Sequence, residues 1–417
     1  MRQVLDLHIH SRYSRACSPQ LTLANIEKTC RIKGVDVIAT GDFTYPAWWA
    51  AITEELEEIE PGAGLYKLKT AADERIKFIL STELSLIYKD GSQVRRIHLV
   101  IHAPDLMAVK KLNKILDKKF NIRSDGRPIL GISAPELVKL ILKIDPRFLI
   151  YPAHIWTPWF SVFGSKSGFN SLDECFKDQT EHIYAIETGL SSDPAMNYRL
   201  SALDKLTILS NSDAHSLPNI GREANIMELS ERPTYQEIYE HIKKRTGLKM
   251  TIEFYPEEGM YHIDGHRACN FSCLPAASKK LKNLCPVCHK PLVIGVLHRI
   301  EELADRPSGY IPKKAVPFKK LVELDKIIAE AWQIKSRSSA RVQKQYQALI
   351  RHFGPELFIL LDLDLAAIGQ ETDFRIVKAL ERVRAGELII KPGFDGQYGQ
   401  INIFSEAVRP DKQVALL

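Results

Sequence analysis

Long apolar runs are missing from this 417-residue sequence, in which no stretch approaches the ~20 apolar residues that a membrane-spanning helix needs. The amino terminus, MRQVLDLHIHS, runs straight into an alternating apolar pattern and lacks the form of a signal peptide. Cysteine is scarce, and its seven residues do not form the spacing of a disulfide framework. We therefore expect a cytoplasmic protein with reduced cysteines and no membrane segment.

Charge is almost balanced over the chain, with a net value of only +6, but it is unevenly distributed. Residues 306–351 contain eleven Lys and Arg against three acidic residues, a local charge of +8. A basic segment beside a near-neutral body predicts a polyanionic partner.

A strand–helix rhythm fills the first half of the chain. Capping-box patterns, such as Ser133 with Glu136, mark helix starts within it. The rhythm predicts an α/β fold with a parallel sheet closed into a TIM-like barrel, the open doubly wound sheet being the alternative. The seven apolar runs lie at 3–7, 35–40, 77–82, 96–101, 148–153, 183–188 and 206–210.

Changes in composition suggest two boundaries after the barrel. Residues 255–268 form a connector into four cysteines, and the Pro-, Gly- and Lys-rich residues 306–318 form a linker. Helical patterns at 319–353 and 373–385 follow, and then a hairpin-like stretch, LIIKPGFDGQYGQINIF. We predict three domains: a barrel at 1–254, a cysteine-rich module at 255–305 and a basic, mainly helical DNA-binding region at 306–417.

Metal-ligand residue types lie at the ends of the apolar runs. His8 and His10 are two residues apart in one strand and therefore point to the same side. Further His, Asp and Glu residues follow later runs, up to the SNSDAHS motif. Because the carboxyl ends of barrel strands open on one face, these side chains should converge on a metal site there.

The order of these motifs closely resembles the polymerase and histidinol phosphatase (PHP) superfamily of metal phosphoesterases: HxH, an acid, Glu, two histidines and a final DxH. The resemblance implies a distorted (β/α)7 barrel with two or three divalent ions, Zn, Mn or Mg. Mixed His and carboxylate ligands suit Zn, Mn or Fe better than Mg. The implied ligands are His8, His10, Asp42, Glu83, His98, His154, Asp213 and His215.

Two positions depart from the superfamily pattern. Arg15 stands where the family usually has an acid or His, so it implies either a weakened metal site or a contact to a substrate phosphate. Asp42 stands where the family usually has His, and its carboxylate can replace the imidazole as a ligand. Asp193 follows a later strand end as a candidate general acid, with a helix N-cap before Pro194 as the alternative.

Clustered divalent ions define the chemistry that such a site supports. They lower the pKa of a bound water toward neutrality, and a second ion ~4 Å away stabilises the leaving oxygen of an in-line displacement at phosphorus. We predict phosphoester hydrolysis by metal-activated water, with Asp193, Arg15 and Asp213 as candidate catalytic residues.

The cysteine cluster has the spacing C-x3-C-x11-C-x2-C, which is typical of a zinc site. Cys269, Cys273, Cys285 and Cys288 are the predicted ligands of one structural Zn, and His266 or His289 is an alternative for one thiolate. A fold this small needs the metal for its stability.

Aromatic and basic residues are the candidates for substrate contacts. Trp48, Trp49, Trp156 and Trp159 lie in two loops of the predicted metal face and are candidate walls of a base pocket, with packing of the barrel as the alternative. Lys335, Arg337, Arg341 and Lys344 are predicted to share a helix as DNA-backbone contacts, with a solvated charged face as the alternative.

The combination of SNSDAHS, ETGLSSDPAMN, the four-cysteine segment and PGFDGQYG resembles the endonuclease Q family over nearly the whole chain. That resemblance implies a metal-dependent DNA repair endonuclease that nicks 5′ to deaminated bases (uracil, hypoxanthine, xanthine) and abasic sites, leaving 3′-hydroxyl and 5′-phosphate ends. A histidinol-phosphatase-like phosphatase is the alternative, which leaves the cysteine module and basic segment unexplained. QINIF (400–404) also resembles the peptide that docks on the replicative sliding clamp, and equally a plain strand.

Overall fold

Apolar strands and their flanking helices form a barrel in the first part of the chain in this computed structural model, which describes residues 1–404. Its strands are β1 (Arg2–Asp6), β2 (Val37–Ala39), β3 (Leu56–Glu58), β4 (Leu65–Leu68), β5 (Lys77–Ile79), β6 (Ser81–Asp90), β7 (Gln93–His102), β8 (Ile129–Leu130), β9 (Leu149–Pro152), β10 (Ala185–Glu187), β11 (Thr207–Leu209), β12 (Ala224–Glu228) and β13 (Leu248–Glu253). Its helices are α1 (Leu23–Lys33), α2 (Pro46–Glu55), α3 (Leu106–Lys119), α4 (Ala134–Ile144), α5 (Leu172–Phe176), α6 (Pro194–Asn197) and α7 (Tyr235–Lys244).

Three sheets follow one another around the barrel. One contains β13-β12-β1-β2-β5-β4-β3, one contains β8-β6-β7-β9, and β10 pairs with β11. Leu80 alone separates β5 from β6, β9 lies beside β10, and a parallel bridge between Ile9 and Ala214 joins the ends of β1 and β11. The predicted α/β barrel is therefore confirmed.

Strict β–α alternation is not confirmed, because several strands are antiparallel. The predicted run at 77–82 splits into β5 and β6, and β6 turns back directly into β7 with Asp90 paired to Gln93. Gly91 in that two-residue turn has φ +59°, the left-handed conformation that tight hairpins require. The sequence prediction missed β12 and β13. β12 runs antiparallel to β1, and β13 runs antiparallel to β12.

Helix starts agree with the capping patterns in the sequence. Ser133 and Glu136 form a capping box at the start of α4, and Thr234 accepts the N–H of Glu237 at the start of α7. α4 buries Leu137 and Val138 against the barrel, and full burial of such a side chain stabilises the fold by about 1.5–3 kcal/mol.

The cysteine-rich module and the C-terminal region follow the barrel. The module contains β14 (Asp264–His266), β15 (Phe271–Cys273), α8 (Pro275–Lys280) and α9 (Val296–Leu303). The C-terminal region contains β16 (Phe318–Lys320), α10 (Leu324–Ala331), α11 (Ala340–Phe353), α12 (Glu356–Leu361), α13 (Leu365–Glu371), α14 (Phe374–Ala385), β17 (Ile389–Lys391) and β18 (Gln400–Asn402). No helix within the described residues is long and apolar enough to cross a membrane.

The single long helix predicted at 319–353 is wrong. Residues 318–320 form β16, which pairs in parallel with β13 and so extends the barrel's first sheet. α10 then ends before Trp332, and Ser339 starts α11 by accepting the N–H of Val342. The predicted helix at 373–385 is confirmed as α14. The domain boundaries at 254 and 305 stay predictions, and residues 405–417 of the predicted third domain lie outside the described residues.

The segment QINIF is a strand of a hairpin. β18 pairs with β17, Ile401 and Ile403 are buried, and the N–H groups of Ile403 and Phe404 are bonded to Glu330. A docking peptide needs free side chains, so the structure supports the plain-strand alternative and not the sliding clamp.

Candidate metal centre

The HxH motif lies directly beyond β1, at the centre of the barrel. The imidazoles of His8 and His10 are buried, and their centroids are 5.4 Å apart. The Nε2 atoms of both rings and Oδ1 of Asp213 are buried without a hydrogen-bond partner. His10 Nε2 lies 3.2 Å from that Asp213 oxygen, so three unpartnered donor atoms face one another. This donor set fits a divalent metal ion.

A second group of ligands lies beside the first. Nδ1 of His98 and Nε2 of His154 lie 2.9 and 3.1 Å from Oε1 of Glu83. The other Glu83 oxygen lies 3.3 Å from His10 Nε2, in the first group. Glu83 therefore faces both groups, and its two oxygens would be available to an ion held in either group.

Left-handed backbone conformations occur at three of these positions. Asp42, His154 and Asp213 have φ of 46°, 29° and 45°. Such conformations cost about 1–3 kcal/mol each and persist only where the surroundings enforce them. Around His154 the packing is very close, since a Cβ on Gly189 would lie 2.3 Å from the His154 Cβ.

Asp42 is predicted as a ligand, but it does not belong to either group of converging side chains. Its Oδ1 lies 3.0 Å from Nδ1 of His10, and its Oδ2 accepts from the Ser11 N–H and the Ser11 and Ser14 hydroxyls at 2.7–2.8 Å. Both oxygens therefore have partners within the protein, and Asp42 holds the outer nitrogen of His10; its role as a ligand stays a prediction. A carboxylate on the outer nitrogen of a metal-binding histidine raises its basicity.

Glu187, at the end of β10, plays the same part for His8 and was missed by the sequence prediction. Its carboxylate lies 3.0 Å from His8 Nδ1 and accepts from the His154 N–H and from Asn211 Nδ2 at 3.1 and 2.8 Å. The strand-end rule that found the other residues applies equally to the sequence IYAIET, so the signal was present.

Arg127 is the second residue that the sequence did not reveal. Its Nη1 lies 2.9 Å from Oε2 of Glu83, and its side chain keeps 24% of its surface exposed. The loop reaches the site because of Gly126, where a Cβ would lie 2.3 Å from Ser14 Oγ. A single arginine in a polar loop carries no sequence signal.

Two groups at the site, His98 and Glu83, have protonation states that suit metal binding, whereas burial is outweighed by nearby carboxylates that raise the pKa of His8, His10 and His154. Burial lowers the pKa of His98 to about 4, so its imidazole is neutral and has a free lone pair at pH 7. Burial opposes ionisation of Glu83, but His98 and Arg127 hold the pKa of its carboxyl well below the usual range.

Three further predicted residues lie at different distances from these groups. His215 is beside the site, with its ring centroid 4.6 Å from that of His10, but it is not among the six converging side chains. Arg15 is exposed, and its contact with substrate phosphate stays a prediction. Asp193 caps α6 by accepting the Met196 N–H and pairs with Lys320 at 2.8 Å, which supports the N-cap alternative and not a general acid.

The four tryptophans separate into two kinds. Trp48 and Trp156 are 2% and 1% exposed, and their Nε1 atoms donate to the Thr40 and Gly41 carbonyls and to Asn197, so they belong to the core and not to a base pocket. Trp49 is half-buried, and Trp159 is 39% exposed and lies edge-on to Tyr261 at 5.5 Å.

The cysteine cluster differs from prediction in one ligand. His266, Cys269, Cys285 and Cys288 converge, whereas Cys273 lies outside the group. In the β14–β15 hairpin Cys273 pairs with Asp264, two residues before His266, which separates the two positions by ~7 Å along the strand. Three thiolates and one imidazole are an ordinary structural zinc set.

The predicted DNA-backbone residues do not share a helix. Lys335 and Arg337 precede α11, and Arg337 is engaged by Glu323 and Asp325 at 3.0 and 2.8 Å, so it is not available for phosphate. Arg341 lies 4.7 Å over the Trp332 ring, and Lys335, Arg341 and Lys344 are exposed. Their contacts to DNA stay predictions.

Two curated proteins align with much of the chain. The uncharacterized protein YqxK of Bacillus subtilis is 29% identical, covering 95% of this chain and 98% of its own. The uncharacterized protein MJ0043 of Methanocaldococcus jannaschii is 30% identical over 258 residues, and the chain spans about a third (32%) of its length. Residues 323–387 match the family model of the MJ0043 C-terminal domain.

Two solved structures match over the full length. The lesion-specific endonuclease PfuEndoQ of Pyrococcus furiosus is 31% identical with a TM-score of 0.85, covering 99% of this chain and 98% of that one. An endonuclease Q complex with a 27-mer duplex that has an abasic lesion at the active site is 32% identical with a TM-score of 0.84, and covers 100% of both chains.

Proposed function

The chain belongs to the endonuclease Q family, and on that basis we propose that it is a metal-dependent endonuclease that nicks DNA at damaged bases. The observation that carries the proposal is the pair of buried ligand groups that Glu83 joins, in a chain that matches endonuclease Q over its whole length. The relative's complex with an abasic duplex supports abasic sites as substrates, and we extend the proposal to deaminated bases.

We propose two divalent ions, Zn, Mn or Mg, one held by His8, His10 and Asp213 and one by His98 and His154, with Glu83 between them. When bound, such ions supply a hydroxide from water and stabilise the leaving oxygen. A third ion near His215 is compatible with that ring's place beside His10. A structural Zn is proposed at His266, Cys269, Cys285 and Cys288.

The protein's own residues arrange this chemistry. Glu187 and Asp42 hold the Nδ1 sides of His8 and His10, so both Nε2 atoms point into the site. Arg127 lies beside Glu83 with 24% of its side chain exposed, and we propose that its fixed positive charge contacts a non-bridging oxygen of the scissile phosphate. We propose that the cut leaves a 3′-hydroxyl and a 5′-phosphate on the 5′ side of the lesion.

Lesion choice is proposed to depend on extrusion of the damaged nucleotide. Unstacking costs a few kcal/mol, and least where pairing is already weakened. Trp159 and Trp49 are the two of the four candidate tryptophans with surface left for a base.

The seven cysteines form no disulfide, and we place the protein in the cytoplasm.

A small-molecule phosphatase is not favoured, because it leaves the module and the C-terminal region without a role.

The proposal is tested with labelled duplexes that contain one abasic site, deoxyuridine or deoxyinosine, incubated with the full-length protein and Mg, Mn or Zn. We expect one nick 5′ to the lesion, no nick in the undamaged duplex and no activity after chelation. Hydrolysis of a phosphomonoester with no nick under any metal would overturn the proposal.

A further inference from the structure

The cysteine-rich module carries an unusual run of sequence. No Asp or Glu occurs at 265–300, although the 417-residue chain has 51 acidic residues. Five cations in this run are exposed: Arg267, Lys279, Lys280, Lys282 and Lys290. The run therefore presents positive charge with no acidic residue of its own to neutralise it.

These five cations are also free of ion pairs within residues 1–404. The ion pairs that the run does make there come from His298, which binds Asp264 and Glu302, and from Arg299, which binds Glu302. This is the reverse of Arg337, whose charge is neutralised by two carboxylates. The module thus carries free positive charge outside the segment for which the sequence predicted it.

The module lies next to the metal face of the barrel. The loop at 155–170 follows His154, and its Phe160 ring packs 4.7 Å from the ring of His98. The same loop is bound by Arg299 of α9, whose guanidinium donates to the carbonyls of Phe163 and Phe169 at 3.1 Å. One loop therefore contacts both a candidate metal ligand and the module.

We propose that the exposed cations of the module bind the phosphate backbone of duplex DNA that extends from the metal centre; this rests on the proposed function. A duplex carries one negative charge per ~1.7 Å of its axis, and unpaired lysines gain affinity by releasing its counterions. Leu274 and Val287, 60% and 65% exposed on the same module, add apolar surface for contact with the sugars. The module then has two tasks, to fix its own fold through the metal and to hold the substrate.

The test compares two triple variants of the holoenzyme with equal loss of charge. One is Lys279→Gln, Lys280→Gln and Lys282→Gln. The matched control is Lys110→Gln, Lys143→Gln and Lys205→Gln, three exposed lysines on helices and loops near His102 and the starts of β9 and β11, the opposite end of the barrel. Dissociation constants for a 27-mer duplex, with and without an abasic site, are measured by anisotropy between 50 and 300 mM salt in chelator-free buffer without added catalytic metal.

We expect the module variant to make the plot of log affinity against log salt less steep by ~2–3, because each lost phosphate contact accounts for about 0.9 of the slope. The control variant should leave the slope unchanged. The triple Lys→Arg variant should retain the slope. The cleavage rate at saturating DNA should stay within about twofold of wild type. Zinc content and the melting temperature establish that each variant is folded.

Equal slopes in the module variant and the control would overturn the proposal. Because binding is measured without cleavage, the result stands apart from the proposed activity. A wild-type protein that binds duplex DNA in a lysine-dependent way but nicks no lesion would overturn only the activity, and one that binds no duplex would overturn both.

Discussion

The barrel centre and the cysteine-rich module both bring candidate metal ligands together, but from very different stretches of chain. The six candidate barrel ligands lie in or just after five strands, β1, β6, β7, β9 and β11, and carboxylates such as Glu187 hold the outer nitrogens of the histidines. The four module ligands come from one hairpin and one knuckle within residues 266–288. A site built by the whole barrel is held rigidly and can leave positions for substrate, whereas a local closed site stabilises its own segment.

The largest expected effect that distinguishes the barrel site from the module site follows from removing the carboxylate shared by the two barrel groups. We expect Glu83→Gln to lower the cleavage rate by roughly 10³-fold, the equivalent of several kcal/mol of transition-state stabilisation. The barrel should also lose metal, while the zinc of the module remains. Single-turnover cleavage and elemental analysis measure both effects, with exposed Glu181→Gln as the control. Full metal content and wild-type cleavage would exclude Glu83 as a ligand.

Arg127 provides the next test on the barrel side. Arg127→Ala should lower cleavage at saturating DNA by about 10²-fold, since it removes one preorganised charge near the reacting phosphate, and Arg127→Lys should recover part of the loss. Metal content should not change. Arg123→Ala is the matched control, because Arg123 lies in the same loop but pairs with exposed Asp117. An equal effect of both substitutions would assign Arg127 only to the packing of the loop.

On the module side, His266 and Cys273 are a matched pair. His266→Ala should remove about one equivalent of zinc and destabilise the module, because structural zinc in small domains supplies much of the folding free energy. Cys273→Ala should keep that zinc. Elemental analysis and limited proteolysis of the module distinguish the two variants. Loss of zinc in Cys273→Ala with retention in His266→Ala would restore the four-cysteine site.

The smallest expected effect concerns the stability of the barrel against acid. Burial first, and then the nearby His8, lower the pKa of His102 from 6.5 to about 3. The unfolded chain therefore takes up this proton first, so stability is complete above pH 6.5 and falls as the pH drops toward 3. His102→Gln keeps a partner for Tyr151. Between pH 6.5 and 4, the free energy of unfolding of the variant should fall less steeply than that of the wild-type protein, and the two slopes should differ by about 1 kcal/mol per pH unit. Parallel curves for the two proteins would contradict this.

Sequence was sufficient where the signal is local and repeated. His8 and His10 are two apart in a strand, and the capping residues Ser133 and Thr234 lie where helices begin. Asp42 could not be assigned in this way, because the side to which its carboxylate turns depends on Ser11 and Ser14. The same holds for Arg127, whose partner is 44 residues away.

Charge is the other property that sequence alone describes incompletely. The count of basic residues at 306–351 was correct, yet it does not show that Arg337 is neutralised by Glu323 and Asp325. The module has fewer basic residues, but five of them are exposed and without an ion pair in the described part of the chain. The pairing of charges, together with their number, decides which surface is available to a polyanion.

The most direct test is to measure DNA cleavage and DNA binding separately for Asp213→Asn on an abasic duplex. The Asp213 carboxylate faces His8 and His10 in the barrel, and within residues 1–404 no hydrogen bond or ion pair joins it to the module. We predict that the variant binds the duplex within about threefold of the wild-type dissociation constant but cleaves it roughly 10³-fold more slowly. Cleavage at the wild-type rate, with the nick still 5′ to the lesion, would place the catalytic centre outside the barrel and contradict the account.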